Sequence, residues 1–168
     1  MKKFFCLSGI SMLFFLISCT DSTKTTTDTS GQSQAEENLA KNRIVYKALE
    51  TGDAAALDSL IASDAVDHQG PNGMDIKGTD SVKHTLADIH NHLKDAKFDI
   101  IADATNGDYI FTLVRVTGTT ADSSWGMPTG TKMDEKGVDV VRIKDGKMVE
   151  HWGFVDASKI MKRMNETP

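Results

Sequence analysis

Glu150, Trp152, Phe154 and Asp156 alternate along one stretch near the end of the chain. Successive side chains of a β-strand point to opposite faces, so on a strand these four share a face. Two carboxylates beside two aromatic rings suit proton transfer on an apolar molecule. An acid held against apolar surface can take up and return a proton near neutrality. The rival reading is structural: Trp152 and Phe154 belong to the core, and the acids lie in water at the strand ends.

Other residues carry weaker signals. His68 follows Asp67 and precedes the loop Gly70-Pro71-Asn72-Gly73. There it could bind a substrate oxygen or move a proton, since imidazole titrates near neutrality. It could equally be a half-buried, hydrogen-bonded histidine. Asp139 stands among Val138, Val140 and Val141. A carboxylate in such a run needs a partner or a raised pKa, and either a site or an ordinary ion pair would supply that. Arg142, three positions on, faces the other side. Trp125 and Met127 lie in a Gly/Pro-rich stretch and could cap an apolar pocket or cover the end of the core. His84, Asp88 and His92 fall on one side of a predicted helix, but the trio fits no catalytic metal pattern, so no metal is expected. No phosphate loop, GxSxG elbow, H-E-x-x-H or C-x-x-C occurs, so nucleophilic hydrolysis, nucleotide binding and structural zinc find no support.

The elements that must position these residues follow from periodicity and turn chemistry. Helical spacing begins near Ala35, with Leu39, Ile44, Val45, Ala48 and Leu49 on one stripe. Gly52 stops that helix, and Asp53 caps a second short one carrying Ala56, Leu57, Leu60 and Ile61. Ala65–Gln69 is a short extended piece. A third helix begins at Gly78-Thr79-Asp80 with Val82, Leu86, Ile89 and Leu93 inward. The period then changes to alternation. Lys97–Asp103 and Tyr109–Thr119 read as strands joined at Asn106-Gly107-Asp108. Gly137–Lys144 and Lys147–Val155 form a hairpin about Asp145-Gly146, where both positions tolerate positive φ. Ser158–Met164 reads as a short final helix. Helices followed by antiparallel strands imply an α+β domain with helices on one face of a curved sheet.

The chain has 168 residues, enough for one domain with a real core. Its start is distinctive. Lys2-Lys3 precedes an apolar run, Phe4 to Ile17, that is too short for a confident membrane span and reads as a secretory signal. Leu16-Ile17-Ser18-Cys19 resembles a bacterial lipobox. That resemblance implies cleavage after residue 18 and a lipidated Cys19 anchored in the cell envelope. Residues 19–34 are polar and read as a tether, and 35–168 as the folded domain. The only other cysteine, Cys6, lies within the signal, so the domain has none for a disulfide or a thiolate metal site. Loss of the two lysines takes the formal charge from −5 to −7. An acidic domain without a basic cluster argues against nucleic acid as a partner.

Several short motifs together resemble SnoaL-like (polyketide cyclase-like) domains of the nuclear transport factor 2-like superfamily. They are Tyr46…Gly52-Asp53…Leu57…Leu60, Val66-Asp67-His68 and Gly78, then Pro128-Thr129-Gly130-Thr131-Lys132, Asp139-Val140-Val141-Arg142 and Asp145 through Trp152. The resemblance runs from about Asn38 to Met164. It implies a cone: a curved antiparallel sheet around a pocket, about three helices closing it, and a short C-terminal helix. It implies acid/base chemistry without metal or cofactor in the members that are enzymes, such as polyketide ester cyclases. Asp156, four residues after the Trp of the Glu-x-Trp pattern, matches their acidic residue, and His68 matches a pocket-facing position. In another subset the residue after this Trp is Asp, and here it is Gly153. Superfamily members also form dimers through the sheet.

The expectation is an envelope lipoprotein with a pocket for a small apolar molecule. Asp156 and His68 would be catalytic in a cyclase or isomerase type of reaction. Trp152, Glu150, Phe154, Asp139, Trp125 and Met127 would line the pocket. The alternatives are a non-catalytic ligand-binding protein and a dimeric interaction module.

Overall fold

The computed structural model describes residues 29–70, 73–156 and 158. The expected signal sequence, Cys19, the start of the tether and nearly all of the Ser158–Met164 helix lie outside them.

Helix α1 spans Thr29–Thr51. It starts ahead of Ala35, so the last residues of the expected tether are helical. Adding turns to an existing helix needs no new nucleus, and Gly31–Gln34 stay exposed while doing so. Further along, Asn42, Tyr46 and Leu49 stand four and three apart and are buried on one stripe. The expected second helix shrinks to one 3₁₀ turn, Ala54–Leu57, capped by Asp53, whose carboxylate accepts from the Ala55 and Ala56 amides. Ile61, expected on that helix, instead opens strand β1 (Ile61–Asp67). Strand β2 is only Ile76–Lys77. Helix α2 (Thr79–His92) buries Val82 and Leu86, as the spacing requires. Strands β3 (Leu93–Asn106), β4 (Tyr109–Thr120), β5 (Lys132–Lys144) and β6 (Lys147–Val155) follow.

Among the described residues, six strands form one curved sheet in the order β2-β1-β6-β5-β4-β3. Strands β3 to β6 are an antiparallel meander, but β1 runs parallel to β6. The sheet is therefore mixed, where the sequence pattern suggested an antiparallel one. The chain between β1 and β6 contains α2 and three strands, so it is free to return in the parallel sense. Helices α1 and α2 cover the concave face. Leu57, Ile61, Val82, Leu93 and Ile110 lie fully buried between the layers. Among the described residues no helix is long and apolar enough to cross a membrane.

The β5–β6 hairpin turns at Asp145 (φ 51°) and Gly146 (φ 72°), the paired positive φ values of a tight hairpin turn. Just past the turn the register slips. Met148 pairs with Ile143 and Glu150 with Arg142, which leaves Val149 as an extra residue. One extra residue in a strand sends every later side chain to the opposite face. This bulge decides which residues of β6 see the concave side.

Candidate functional site

The concave face and the two helices enclose a cavity of about 1000 Å³. Its wall is largely apolar, with Val45, Leu49, Leu86, Val114, Val141 and Met148 among the lining residues. Each strand contributes alternate side chains. Thr112 of β4 pairs with Asp139 of β5, Val141 pairs with His151 of β6, and His151 pairs with Asp67 of β1. A polar line therefore crosses four strands of the inner face.

His151 sits at the centre of that line. Its Nδ1 lies 3.1 Å from Asp67 Oδ1, off the N–H axis, so the contact is ionic more than a straight hydrogen bond. Its Nε2 lies 3.9 Å from Asp139 Oδ1, an ion-pair distance. Burial alone pulls the imidazole pKa down, but the Asp139 and Asp67 carboxylates outweigh it and raise the value to about 9. His151 is therefore charged at neutral pH, and it supplies the counter-charge that two inward carboxylates require.

Helix α1 completes the site. Tyr46 Oη donates to Asp139 Oδ2 at 2.8 Å. Burial first, and then the Asp139 carboxylate, push the phenol pKa above its ordinary value, so Tyr46 is only a donor here. One turn earlier, Asn42 Nδ2 donates to Thr112 Oγ1 at 3.0 Å in a fully buried bond. Asp67 Oδ1 also accepts from the Gln69 backbone N–H at 2.9 Å.

The bulge at Val149 sends Glu150, Trp152 and Phe154 to the outer face, away from the cavity, and this corrects the expectation for all three. Glu150 pairs with Arg142 at 3.0 Å. Trp152 stacks on His68 with ring centroids 4.9 Å apart. Phe154 is 59% exposed. His68 is likewise not in the cavity wall. Asp67 takes the inward place at that strand end, and the next residue turns outward, where His68 Nδ1 meets Asp75 Oδ1 at 2.8 Å. Four expected residues do line the cavity: Asp139, Asp156, Trp125 and Met127. Asp156 lies at the rim, exposed, and accepts from Ser158 N and Oγ.

The sequence places Tyr46, Asp67 and His151 only within the family motifs, and neither they nor Asn42 stand out in it as site residues. Asn42 and Tyr46 did carry a signal, being polar groups four apart on the apolar stripe of α1. His151 carried none, because the uninterrupted alternation of β6 assigns it to the outer face.

Trp125 and Met127 reach the rim on the loop 121–131. His92 holds that loop, with Nδ1 2.7 Å from Asp122 Oδ2 and Nε2 2.9 Å from Asp88 Oδ2. The Ala121 amide also donates to the His92 carbonyl at 2.9 Å. The predicted His84-Asp88-His92 face thus serves as an anchor through Asp88 and His92.

A curved mixed sheet with helices across its concave side and polar groups on the inner wall is the architecture of the nuclear transport factor 2-like fold. Within that class the chain belongs to the SnoaL-like domain family, whose sequence model matches residues 43–151. Solved structures agree on the fold. A proposed SnoaL-like polyketide cyclase from a Jannaschia species superposes with a TM-score of 0.67 at 16% identity, covering 80% of this chain and 95% of that one. IdmH, a proposed polyketide cyclase from Streptomyces antibioticus, gives 0.61 at 23% identity, covering 76% and 98%. A nuclear transport factor 2-like protein of unknown function from Mesorhizobium loti gives 0.58 at 24%, covering 73% and 93%. No curated protein matches the sequence.

Proposed function

We propose that this protein holds a small, largely apolar molecule in the cavity and exchanges a proton with it through Asp139, without metal or cofactor. One observation carries the reading: Asp139, joined to Tyr46 and His151, stands on the inner wall of a largely apolar cavity of about 1000 Å³. A molecule of drug-like size fits such a space. A proton taken up by Asp139 lies next to a phenol that already donates to it. A charged imidazole nearby balances the site before and after the transfer. The reaction type that suits this equipment is isomerisation or ring closure of an enolisable carbonyl compound. The family resemblance points to Asp156 as the acid/base and the cavity geometry to Asp139, and single variants separate the two.

The test is hydrogen–deuterium exchange at the α-carbon of small apolar ketones such as tetralone, followed by NMR in deuterated water. The protein should accelerate exchange, and Asp139→Asn should lose about a hundredfold of that acceleration, the ordinary contribution of one acid/base group. If Asp156→Asn alone removes it, the rim carboxylate is the base.

A second reading has its own support. Tyr46 and His151 already engage both oxygens of Asp139, as a purely structural acid would be engaged. The protein is then a binding lipoprotein, and ketones bind without accelerated exchange.

The proposal includes anchorage in the cell envelope through lipid on Cys19, supported by the Leu16-Ile17-Ser18-Cys19 sequence. Metabolic labelling with a fatty-acid analogue, lost in Cys19→Ala, tests it. It also includes a homodimer through the outer sheet face, where Phe111, Leu113, Val138 and Phe154 are exposed.

A further inference from the structure

We infer that the side-chain amide of Gln69 is the hydrogen-bond donor that selects a carbonyl-bearing ligand, and that Gly153 is the residue that makes room for it. The inference rests on the cavity reading above and adds a specificity-determining contact to it.

Position 153 falls on the inner face of β6, directly opposite Asp139 in the β5–β6 register. Any side chain there would project beside Asp139. In this chain that volume is already occupied. A Cβ built on Gly153 would lie 2.0 Å from Gln69 Nε2, 2.2 Å from its Cδ and 2.3 Å from its Oε1. These distances are far inside van der Waals contact, so Gln69 and a side chain at 153 exclude each other. The backbone at 153 does not have positive φ. The glycine is there for space and not for conformation.

The backbone at Gln69 is held by the site itself. Its own N–H donates to Asp67 Oδ1 at 2.9 Å, and the preceding His68 N–H donates to the His151 carbonyl at 2.9 Å. Its side chain lines the cavity and remains exposed there.

The other donors around Asp139 are already engaged. Tyr46 Oη is spent on Asp139, and the Asn42 amide on Thr112 Oγ1. Both ring nitrogens of His151 face carboxylates. The Gln69 amide makes no hydrogen bond among the described residues. Of these donors among the described residues it is the one left for a ligand, and an amide offers two N–H groups to a carbonyl oxygen. A ketone or ester oxygen held on Gln69 would bring its α-carbon toward Asp139, across the width of one strand pair.

The test compares two probes of nearly equal shape, acetylnaphthalene and isopropenylnaphthalene, which differ in whether the planar branch carries a carbonyl oxygen or a methylene. Dissociation constants are read from tryptophan fluorescence. Wild-type protein should prefer the ketone by about tenfold, the worth of one net hydrogen bond. Gln69→Ala should bring that preference to about one. Gly153→Ala should do the same by displacing the amide, and the double variant should lose nothing further. An unchanged preference in Gln69→Ala, or losses that add in the double variant, would overturn the assignment. If Gly153→Ala does not fold, Gln69→Ala decides alone. If wild-type protein binds neither probe, the cavity reading itself fails and this inference falls with it, a result distinct from binding without preference.

Discussion

Tyr46 Oη and Asp139 Oδ2 meet at 2.8 Å across 93 positions of sequence, and this bond ties the C-terminal part of α1 to the middle of β5. A hydrogen bond to a charged group contributes about 1.5–3 kcal/mol net. Tyr46→Phe should therefore lower unfolding stability by about 2 kcal/mol in urea denaturation. In an Asp139→Ala background the same change should cost much less, because the two residues act as a pair. Equal losses in both backgrounds would show that the hydroxyl contributes nothing through Asp139.

His151 makes stability depend on pH. Its folded pKa, about 9, lies above its ordinary 6.5, so the folded state binds this proton more tightly. The stabilisation is fully present below pH 6.5 and is lost as pH rises through about 9. The loss amounts to about 3 kcal/mol, one pKa unit being worth about 1.4 kcal/mol. Denaturation curves at several pH values across this window should show the decline. His151→Gln should flatten most of it.

His92 should control the loop that carries Trp125 and Met127. The Asp122 hydrogen bond is the main cause of its raised pKa, with Asp88 adding to it. Asp122 is itself lowered to about 2, chiefly by Ser124 and then by His92. His84 stands near enough to Asp88 to act on it as well. Charged imidazole can donate to both carboxylates, whereas neutral imidazole can donate to only one. The clasp is present below His92's ordinary pKa and is lost as pH rises through the raised value. Amide hydrogen exchange in residues 121–131 should quicken in that window, beyond its intrinsic rise with pH. Asp122→Asn should show the faster exchange throughout.

The outer face of the sheet should pair two copies. Leu113, Val138 and Phe154 form one row across β4, β5 and β6, and Phe111, Val140 and Trp152 form the next. A patch of this kind marks an interface more often than a free surface. Sedimentation should show a dimer. Phe154→Lys together with Phe111→Glu should convert it to a monomer while leaving the cavity intact.

Local chemistry made much of this legible. The Asp145-Gly146 turn, the alternation of β4 and the Val82–Leu86 stripe each depend on a few neighbouring residues, and each forms as its pattern requires. Asp139 was conspicuous because a carboxylate among valines has to be answered by some partner. The inner face of β6 was not legible, and one residue explains why. Val149 reads as an ordinary strand residue, yet as a bulge it exchanges Glu150, Trp152 and Phe154 for His151 and Gly153 on the concave side. The parallel pairing of β1 with β6 was equally hidden, since it is fixed by tertiary closure and not by any turn. The partners of His151 come from β1 and β5, so no spacing in the sequence announces them.

The charged imidazole held between Asp67 and Asp139 on the cavity wall is tested most directly by NMR titration of the histidine ring protons. One of the five histidines, assigned as His151 by its loss in His151→Gln, should titrate near pH 9, and Asp139→Asn should move it down. A His151 that titrates at the ordinary value of 6.5, unmoved by Asp139→Asn, would contradict the account.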